Sequence, residues 1–230
     1  MKILSNGIAV IEGDTHLSKW VEDSGTLRIA EAYMKPFRKY VPVGGVVFDV
    51  GACIGDHTAT YADWVGPEGL VLAIEPNEEA AACLFHNMEH LPVACFQHAL
   101  SDKEGNASIV RDKNAGASYL IETNSTKGIP LFTLDEIVET FCHNKVDFIK
   151  IDAEGFETKI LLGACDTIHN QRPVMLIEVN AGALERAGTS KSELLELIEH
   201  FKYRHEITDS RLTYESPQFD VICVPVERTE

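Results

Sequence analysis

The stretch Val46-Val47-Phe48-Asp49-Val50-Gly51-Ala52-Cys53-Ile54-Gly55 joins an apolar, β-branched run to a glycine-containing turn. A second such run, Val71-Leu72-Ala73-Ile74-Glu75-Pro76, ends in a carboxylate twenty residues after Gly55. Runs of this kind are typical of parallel strands that are buried on both faces. A strand, a glycine turn and a helix, followed by a strand that ends in an acidic residue, can hold the ribose of a nucleoside. The two runs therefore predict a site for a nucleoside-containing cofactor at the carboxyl edge of a parallel sheet.

The glycine turn lacks the pattern that binds a dinucleotide. In Gly-x-Gly-x-x-Gly, the glycines let the backbone approach a pyrophosphate at the helix N-terminus. Counted from Gly51, the second and third glycine positions hold Cys53 and Asp56, and His57 stands where a start at Gly55 would need glycine. Asp56 also places a negative charge in the first turn of the helix. A ligand without phosphates fits better, and S-adenosylmethionine is the predicted cofactor.

The composition indicates a single soluble α/β domain. The chain has 230 residues and a formal net charge of −16, which argues against a nucleic-acid partner because phosphate binding relies on clustered Lys and Arg. No apolar run approaches the roughly 18 residues of a membrane span, and no charged-then-apolar leader opens the chain. The six cysteines show no C-x-x-C spacing. We therefore expect a reduced, cytoplasmic protein without a membrane partner.

From residue 46 onward, strand-like runs alternate with helical patterns, which predicts a mostly parallel sheet. The predicted strands are 46–50, 70–75, 93–98, 146–151 and 174–179, followed by the antiparallel runs 203–208 and 219–224, which form a C-terminal hairpin. The predicted helices are 55–65, 78–90, one that begins at Thr133, one that follows Gly155 and ends near 170, and 194–201.

Two segments are expected to lie outside this alternation. Residues 1–45 are expected to form an N-terminal extension or cap, with helix-like spacing over 27–40, on a cofactor-binding domain that spans 46–230. The polar stretch 107–127 is expected to form a strand fragment and a mobile excursion that covers the site.

Five blocks of sequence closely resemble the FkbM family of S-adenosylmethionine-dependent methyltransferases. They are Asp49-x-Gly51-Ala52-x-Ile54-Gly55-x-x-Thr58, Glu75-Pro76-Asn77, Thr133-Leu134-Asp135, Ile149-Lys150-Ile151-Asp152-Ala153-Glu154-Gly155-Phe156-Glu157, and Arg172-Pro173 with Glu178. The fourth block is the most specific. Family members often carry Asn at the position of Cys53. The resemblance implies a Rossmann-like class I methyltransferase fold: α/β, with a mostly parallel seven-stranded sheet, helices on both faces and a C-terminal antiparallel hairpin.

The residues expected to contact the cofactor lie mainly at strand ends. Asp49 and Gly51 are expected beneath the methionine portion of the cofactor. Glu75 is predicted to accept hydrogen bonds from both ribose hydroxyls, because a carboxylate can accept from two donors at once. The full predicted set is Asp49, Gly51, Gly55, Thr58, Glu75, Pro76, Asn77, Ala99, Leu100, Ser101 and Asp152. Ala99, Leu100 and Ser101 are assigned to the adenine side because they would end the third strand.

Asp152, Glu154 and Glu178 are the candidate catalytic residues, because they lie at or just after the ends of the fourth and fifth strands, where ligands bind in such sheets. Methyl transfer to a hydroxyl requires the removal of one proton. A carboxylate could accept that proton or coordinate a divalent cation that acidifies the hydroxyl; no further ligand pattern accompanies the three, and no metal is predicted. The resemblance implies O-methylation of a sugar or other small metabolite. A nicotinamide-dependent oxidoreductase or epimerase and a non-catalytic cofactor-binding module remain the alternatives.

Overall fold

The computed structural model describes residues 1–29, 31–142 and 144–228. Its strands are β1 (Lys2–Ile3), β2 (Ala9–Val10), β3 (Val46–Val50), β4 (Leu70–Ile74), β5 (Val93–Phe96), β6 (Ala99–Leu100), β7 (Gly105–Val110), β8 (Tyr119–Glu122), β9 (Ile129–Phe132), β10 (Val146–Ile151), β11 (Val174–Asn180), β12 (Tyr203–Ile207) and β13 (Gln218–Pro225). Its α-helices are α1 (Leu17–Ser24), α2 (Glu31–Met34), α3 (Asp56–Val65), α4 (Glu78–Met88), α5 (Leu134–Phe141), α6 (Glu157–Leu162), α7 (Cys165–Gln171), α8 (Ala181–Arg186) and α9 (Lys191–His200). Short 3₁₀ helices span Lys35–Tyr40 and Ala115–Ala117.

Seven strands form the central sheet in the order β12-β13-β11-β10-β3-β4-β5. The pairs from β11 through β10, β3 and β4 to β5 are parallel, whereas β13 is antiparallel to both β11 and β12. The carboxyl ends of the five parallel strands therefore meet at one edge of the sheet, and strand order reverses between β3 and β10. The predicted parallel sheet and C-terminal hairpin are confirmed.

Helices cover both faces of this sheet because alternate side chains of its buried strands point to opposite sides. On one face, Phe48 and Ile151 pack in a cluster with Leu134 of α5 and Leu194 of α9. On the other face, Val47 packs with residues of α3 and of the 3₁₀ helix at Lys35–Tyr40. All five residues of β3 are buried, as expected for a strand in the middle of a sheet that is covered on both sides.

Two of the predicted helix starts are confirmed by side-chain caps, whereas α9 begins at Lys191 rather than at the predicted residue 194. The side chain of Asn77 accepts a hydrogen bond from the amide of Glu79 and caps α4. Thr133 and Glu136 form a reciprocal capping box at the start of α5, in which each side chain accepts a hydrogen bond from the backbone amide of the other residue. Within the described residues, no helix has both the length and the apolar character that crossing a membrane requires.

The prediction for the region that follows β4 is wrong in two respects. The third parallel strand ends at Phe96, so Ala99 and Leu100 belong instead to β6 in a second sheet, whose order is β6-β9-β7-β8. The stretch 107–127 is part of this four-stranded sheet rather than a loose excursion. The strands of this second sheet bury few apolar side chains, and its buried core consists of Ala99, Ala107 and Leu131. The local sequence is therefore too polar to predict the sheet.

Two predicted helices are interrupted. The helix that ends near residue 170 is divided into α6 and α7 around Gly163, where a Cβ would lie 2.0 Å from the carbonyl oxygen of Ser101. The segment 27–40 forms a short α2 and a 3₁₀ helix rather than one long helix. Ala30, which lies in that predicted helix, is outside the described residues.

Candidate active site

Gly51 lies directly after β3, where two chain segments come into contact. Its φ is +77°, and a Cβ at this position would lie 1.7 Å from the carbonyl oxygen of Asp152. The amides of Gly51 and Ala52 both donate to the carbonyl oxygen of Ile74, at 3.0 and 3.1 Å. The absence of a side chain thus allows the ends of β3, β4 and β10 to meet around one backbone turn.

Cys53 holds a left-handed backbone conformation in this turn, with φ +48°. Its amide donates a 2.8 Å hydrogen bond to Oε2 of Glu75. The conformation explains why asparagine suits this position, since Asn and Asp populate the left-handed region several-fold more often than other non-glycine residues.

A Cys53→Asn substitution is therefore expected to leave the free energy of unfolding unchanged or to raise it by up to about 1 kcal/mol. Cys53→Val is the matched control, and it should cost about 1–3 kcal/mol because a β-branched side chain strains a left-handed backbone. Urea unfolding of both variants measures the difference. Equal destabilisation by the two substitutions would contradict this explanation.

Glu75 ends β4 with its carboxylate fixed by the backbone on both sides. Oε1 accepts from the amide of Asn77 at 2.7 Å, and Oε2 accepts from the amide of Cys53 at 2.8 Å. The residue is 7% exposed, and burial raises the pKa of its carboxyl to about 7, although both amide hydrogen bonds lower it. A carboxylate offers about four acceptor positions, so each oxygen retains capacity for a ligand hydroxyl.

Lys150 is a buried cation to which the sequence analysis gave no role. It donates to the carbonyl oxygen of Gly51 at 2.8 Å and lies 3.4 Å from Oδ1 of Asp49 and 3.3 Å from Oδ2 of Asp152. Burial lowers the pKa of Lys150, but the two carboxylates more than offset this effect and leave it raised. The signal was present in the sequence, because a lysine within an apolar strand requires a buried partner of opposite charge.

A partly open space of about 700 Å³, here called the inner cavity, lies above these strand ends. Most of the predicted site residues line it: Gly51, Glu75, Pro76, Ala99, Leu100, Asp152, Glu154 and Glu178. The sheet topology brings them together, because β3, β4, β10 and β11 all end at this edge. Ala99 and Leu100 reach the cavity from the second sheet.

Five predicted site residues lie outside the lining of the inner cavity and support it from behind. Asp49 is fully buried and accepts a 2.6 Å hydrogen bond from the hydroxyl of Thr58. Gly55 faces Leu84 and Met88 of α4, and Asn77 caps that helix. The amide of the buried Ser101 donates to the carbonyl oxygen of Phe132. Cofactor contacts by these residues remain predictions.

Three carboxyl groups line the cavity near the carboxyl ends of β10 and β11. The Asp152 side chain is 41% exposed. Glu154 has φ +51° and lies 3.6 Å from Nη2 of Arg186; burial and the charge of Asp152 raise its pKa to about 7. Glu178 is 8% exposed, and its Oε1 accepts a 2.6 Å hydrogen bond from Gln218. Burial, followed by the charges of Asp152 and Glu154, raises the pKa of Glu178 well above its ordinary value.

Within the described part of the chain, Oε2 of Glu178 is a buried oxygen without a hydrogen-bond partner. Glu157 contrasts with it, because its carboxylate accepts from the amides of Ala153 and Gly155 and so shapes the turn after β10. An unpaired buried polar atom costs free energy, so the position of Glu178 at the cavity favours a ligand partner.

The N-terminal segment and the second sheet together cover the inner cavity. His16, Lys19 and Trp20 line it from the start of the chain and from α1, and residues 114–118 line it from the loop before β8. Asp14 joins the two parts: its Oδ2 accepts from the amide of Ser18 at 2.6 Å, and its Oδ1 accepts from that of Ala115 at 3.0 Å. Nothing in the local sequence identified this contact.

A larger space of about 1350 Å³, here called the outer groove, adjoins the inner cavity. The residues that line both spaces are His16, Ile29, His57, Lys150, Asp152, Glu178 and Gln218. Burial lowers the pKa of His57. The shared residues show that the two spaces meet beside the carboxyl groups of Asp152, which follows β10, and of Glu178 in β11.

Two sequence comparisons identify relatives of the chain. The model of the Methyltransferase FkbM domain matches residues 49–205. The hexuronic acid methyltransferase AglP of Haloferax volcanii is 26% identical over 166 residues, which are 71% of this chain and 65% of that protein. The match therefore spans slightly less than two thirds of the length of this relative.

Two solved methyltransferase structures share the fold of this chain. A SAM-dependent O-methyltransferase from Thermotoga maritima is 16% identical, with a TM-score of 0.52 over 93% of this chain and 72% of that one. A SAM-dependent methyltransferase from Aquifex aeolicus is 17% identical, with a TM-score of 0.51 over 91% and 97%. These similarities confirm the predicted class I methyltransferase fold.

The inner cavity has the size and the chemistry that S-adenosylmethionine requires. Its volume of about 700 Å³ lies within the roughly 300–1,000 Å³ of small-ligand pockets. Glu75 retains acceptor capacity for hydroxyls, Pro76 and Leu100 offer apolar surface, and the carboxylates suit a cationic ligand. Together with the FkbM match, which confirms the cofactor prediction, these features favour a methyltransferase over the nicotinamide alternative.

Proposed function

Because the chain belongs to the FkbM methyltransferase family, we propose that it transfers the methyl group of S-adenosylmethionine to a hydroxyl oxygen of a carbohydrate or other small metabolite. The observation that supports this proposal most directly is that the inner cavity and the outer groove share lining residues. Transfer of a group between two substrates requires two binding spaces that meet where the reacting atoms lie. The hexuronic acid methyltransferase of Haloferax volcanii supports a carbohydrate as the acceptor.

In this proposal, the inner cavity binds the cofactor through the ends of β3 and β4. Glu75 accepts hydrogen bonds from the ribose hydroxyls, and the turn at Gly51 lies beneath the methionine portion. Pro76, Ala99 and Leu100 provide an apolar surface for the adenine ring. Behind them, Asp49, Gly55, Thr58, Asn77 and Ser101 hold the backbone that carries these contacts.

Asp152, Glu154 and Glu178 surround the place where the acceptor hydroxyl would lie. When bound, S-adenosylmethionine would supply a methyl group on a positively charged sulfur, and transfer of this group to the hydroxyl oxygen would form an oxygen–carbon bond, break the carbon–sulfur bond and release S-adenosylhomocysteine. The hydroxyl proton must pass to a base, and a pKa of about 7 suits Glu154 to accept it near neutral pH. Glu178, whose pKa lies higher, can donate a hydrogen bond to an acceptor oxygen.

The proposal is tested by incubating the full chain with S-adenosylmethionine and a panel of sugars, hexuronates and small alcohols, with mass spectrometry of the products. We expect a single O-methylated product from at least one carbohydrate. Cofactor binding without methylation of any hydroxyl compound, or methylation on nitrogen, would contradict the proposal.

With an accepted substrate, Glu154→Gln is expected to lower kcat by about 100-fold, the usual contribution of a positioned base. The wild-type rate should rise as pH increases through about 7, because Glu154 is active as a base only in its ionised form, and this rise should be lost in the variant. Glu185→Gln, on the exposed face of α8, is the control and should retain the wild-type profile. An unchanged pH profile in Glu154→Gln would assign the base to another residue.

A further inference from the structure

We propose that the outer groove is the acceptor site and that it binds a carbohydrate of at least two linked sugar rings. This inference rests on the proposed function and goes beyond it, because it assigns a place and a minimum size to the acceptor. A single sugar ring at the junction of the two spaces would leave most of the groove empty.

The position of the groove favours an acceptor over a second cofactor. It shares His57, Asp152 and Glu178 with the inner cavity. Glu178 lines both spaces and is 8% exposed, and its buried Oε2 has no hydrogen-bond partner within the described residues. In this proposal, the acceptor hydroxyl lies at the junction beside the Glu178 carboxyl while the rest of its molecule extends along the groove.

The size of the groove indicates an extended ligand. Its volume of about 1350 Å³ exceeds the roughly 300–1,000 Å³ that small-molecule pockets usually enclose. The proposed function places the cofactor in the inner cavity, so the volume of the groove is left for the acceptor. The lining of the groove includes residues of the 3₁₀ helix at Lys35–Tyr40 and of the loop that follows β12, none of which lines the inner cavity.

The walls combine apolar faces with hydrogen-bonding groups, which suits sugar rings because their C–H faces are apolar and their edges carry hydroxyls. Tyr33, Tyr40 and Leu212, the last of which is 37% exposed, contribute apolar surface to the groove. The hydroxyl of Tyr33 donates a 2.7 Å hydrogen bond to Oδ2 of Asp220, which joins the N-terminal segment to β13. Gln218 and Asp220 place polar groups beside these apolar surfaces.

The charges of the groove argue against a phosphate-rich ligand. The charged side chains that line it away from the junction are Lys35, Lys39, Arg211, Glu206, Asp209 and Asp220. The guanidinium of Arg211 is engaged by Asp209 at 2.6 and 2.9 Å. Phosphate recognition relies on an excess of basic side chains, and the described residues that line the groove away from the junction include as many acidic as basic side chains. A neutral or weakly charged hydroxyl-rich ligand is the better match.

The test measures methyl transfer as a function of acceptor length. The full chain and radiolabelled S-adenosylmethionine are combined with matched mono-, di- and trisaccharides of neutral hexoses, N-acetylhexosamines and hexuronates. We expect kcat/KM to rise at least tenfold from the monosaccharide to the di- or trisaccharide in the accepted series. Leu212→Ala should lower kcat/KM for the longer acceptor at least fivefold, with a smaller loss for the monosaccharide. Leu162→Ala, which removes a leucine that is 46% exposed outside the groove, is the matched control.

Titration of the same proteins with S-adenosylhomocysteine distinguishes failure of this inference from failure of the proposed function. If this ligand binds but monosaccharides and trisaccharides react equally, or if no carbohydrate of any length is methylated, the inference is overturned. The same holds if Leu212→Ala and Leu162→Ala behave alike. If S-adenosylhomocysteine does not bind the wild-type chain, the proposed function itself fails, and the inference fails with it.

Discussion

Gly51→Ala is expected to lower the free energy of unfolding by about 3–5 kcal/mol, among the largest effects of a single substitution. The added Cβ would lie 1.7 Å from the carbonyl oxygen of Asp152, and the backbone at φ +77° disfavours any residue with a side chain. The obstacle is backbone rather than a flexible side chain, so relief requires β3 and β10 to separate at their carboxyl ends. Such a shift would also open the inner cavity, and we expect S-adenosylhomocysteine binding to be lost.

Gly182→Ala is the matched control for this substitution. Gly182 lies in α8 with an ordinary φ, and the nearest atom to a new Cβ is 3.8 Å away. Alanine is favoured over glycine in a helix by roughly 0.5–1 kcal/mol, so this variant should be neutral or slightly more stable. Urea unfolding and calorimetric titration measure both effects. A Gly51→Ala protein with stability within 1 kcal/mol of the wild type and undiminished affinity would contradict the close approach seen here.

Lys150→Met is expected to lower the free energy of unfolding by about 3–5 kcal/mol, because it leaves a buried carboxylate without its cation. Asp49 is fully buried and lies 3.4 Å from Nζ of Lys150, with the hydroxyl of Thr58 as its other partner. The carbonyl oxygen of Gly51 loses its 2.8 Å hydrogen bond at the same time. The glycine turn should therefore become less ordered, and cofactor affinity should fall together with stability.

A double-mutant cycle separates this charge effect from the loss of packing. When Asp49→Asn is added to Lys150→Met, the unpaired charge disappears, and the double variant should regain at least half of the lost stability. Lys159→Met provides a surface control, because Lys159 pairs with Glu122 in a partly exposed position and such pairs contribute about 0–1 kcal/mol. Strictly additive effects of the Lys150 and Asp49 substitutions would contradict an energetically coupled pair.

The central sheet was predictable because its signals are local. Val46–Val50 and Val146–Ile151 are apolar runs of strand length, and alternation with helical patterns implies parallel neighbours. The caps at Asn77 and Thr133 depend on two or three adjacent residues. Each of these features is encoded within a window of about ten residues, and the structure agrees with it closely.

The second sheet was not predictable in the same way because its pairing is non-local. β6 pairs with β9, whose residues lie about thirty positions further along the chain, and β7 pairs with both β8 and β9. Its buried core is limited to small or single apolar residues. Neither hydrophobic periodicity nor turn chemistry over 107–127 was strong enough to reveal these partners.

The sequence predicted which residues gather at the site, but not which of them line the inner cavity and which are buried behind it. Glu75 and Asp152 were recognised from their positions at strand ends and do line the inner cavity. Asp49 was predicted on the same grounds, but its side chain is buried within the sheet and lies beside Lys150. Tyr33 and Gln218 reach the outer groove from segments nearly two hundred residues apart, and only the folded chain brings them together.

The most direct test of this account is calorimetric titration of S-adenosylhomocysteine into the wild-type chain, Glu75→Ala and Glu78→Ala. Glu78 is the matched control, because it lies three residues away with a side chain that is 77% exposed. We expect micromolar affinity for the wild type, a loss of at least tenfold in Glu75→Ala, which corresponds to about 1.4 kcal/mol or more, and little change in Glu78→Ala. Absence of binding, or equal affinity in all three proteins, would contradict a cofactor held in the inner cavity by the carboxylate at the end of β4.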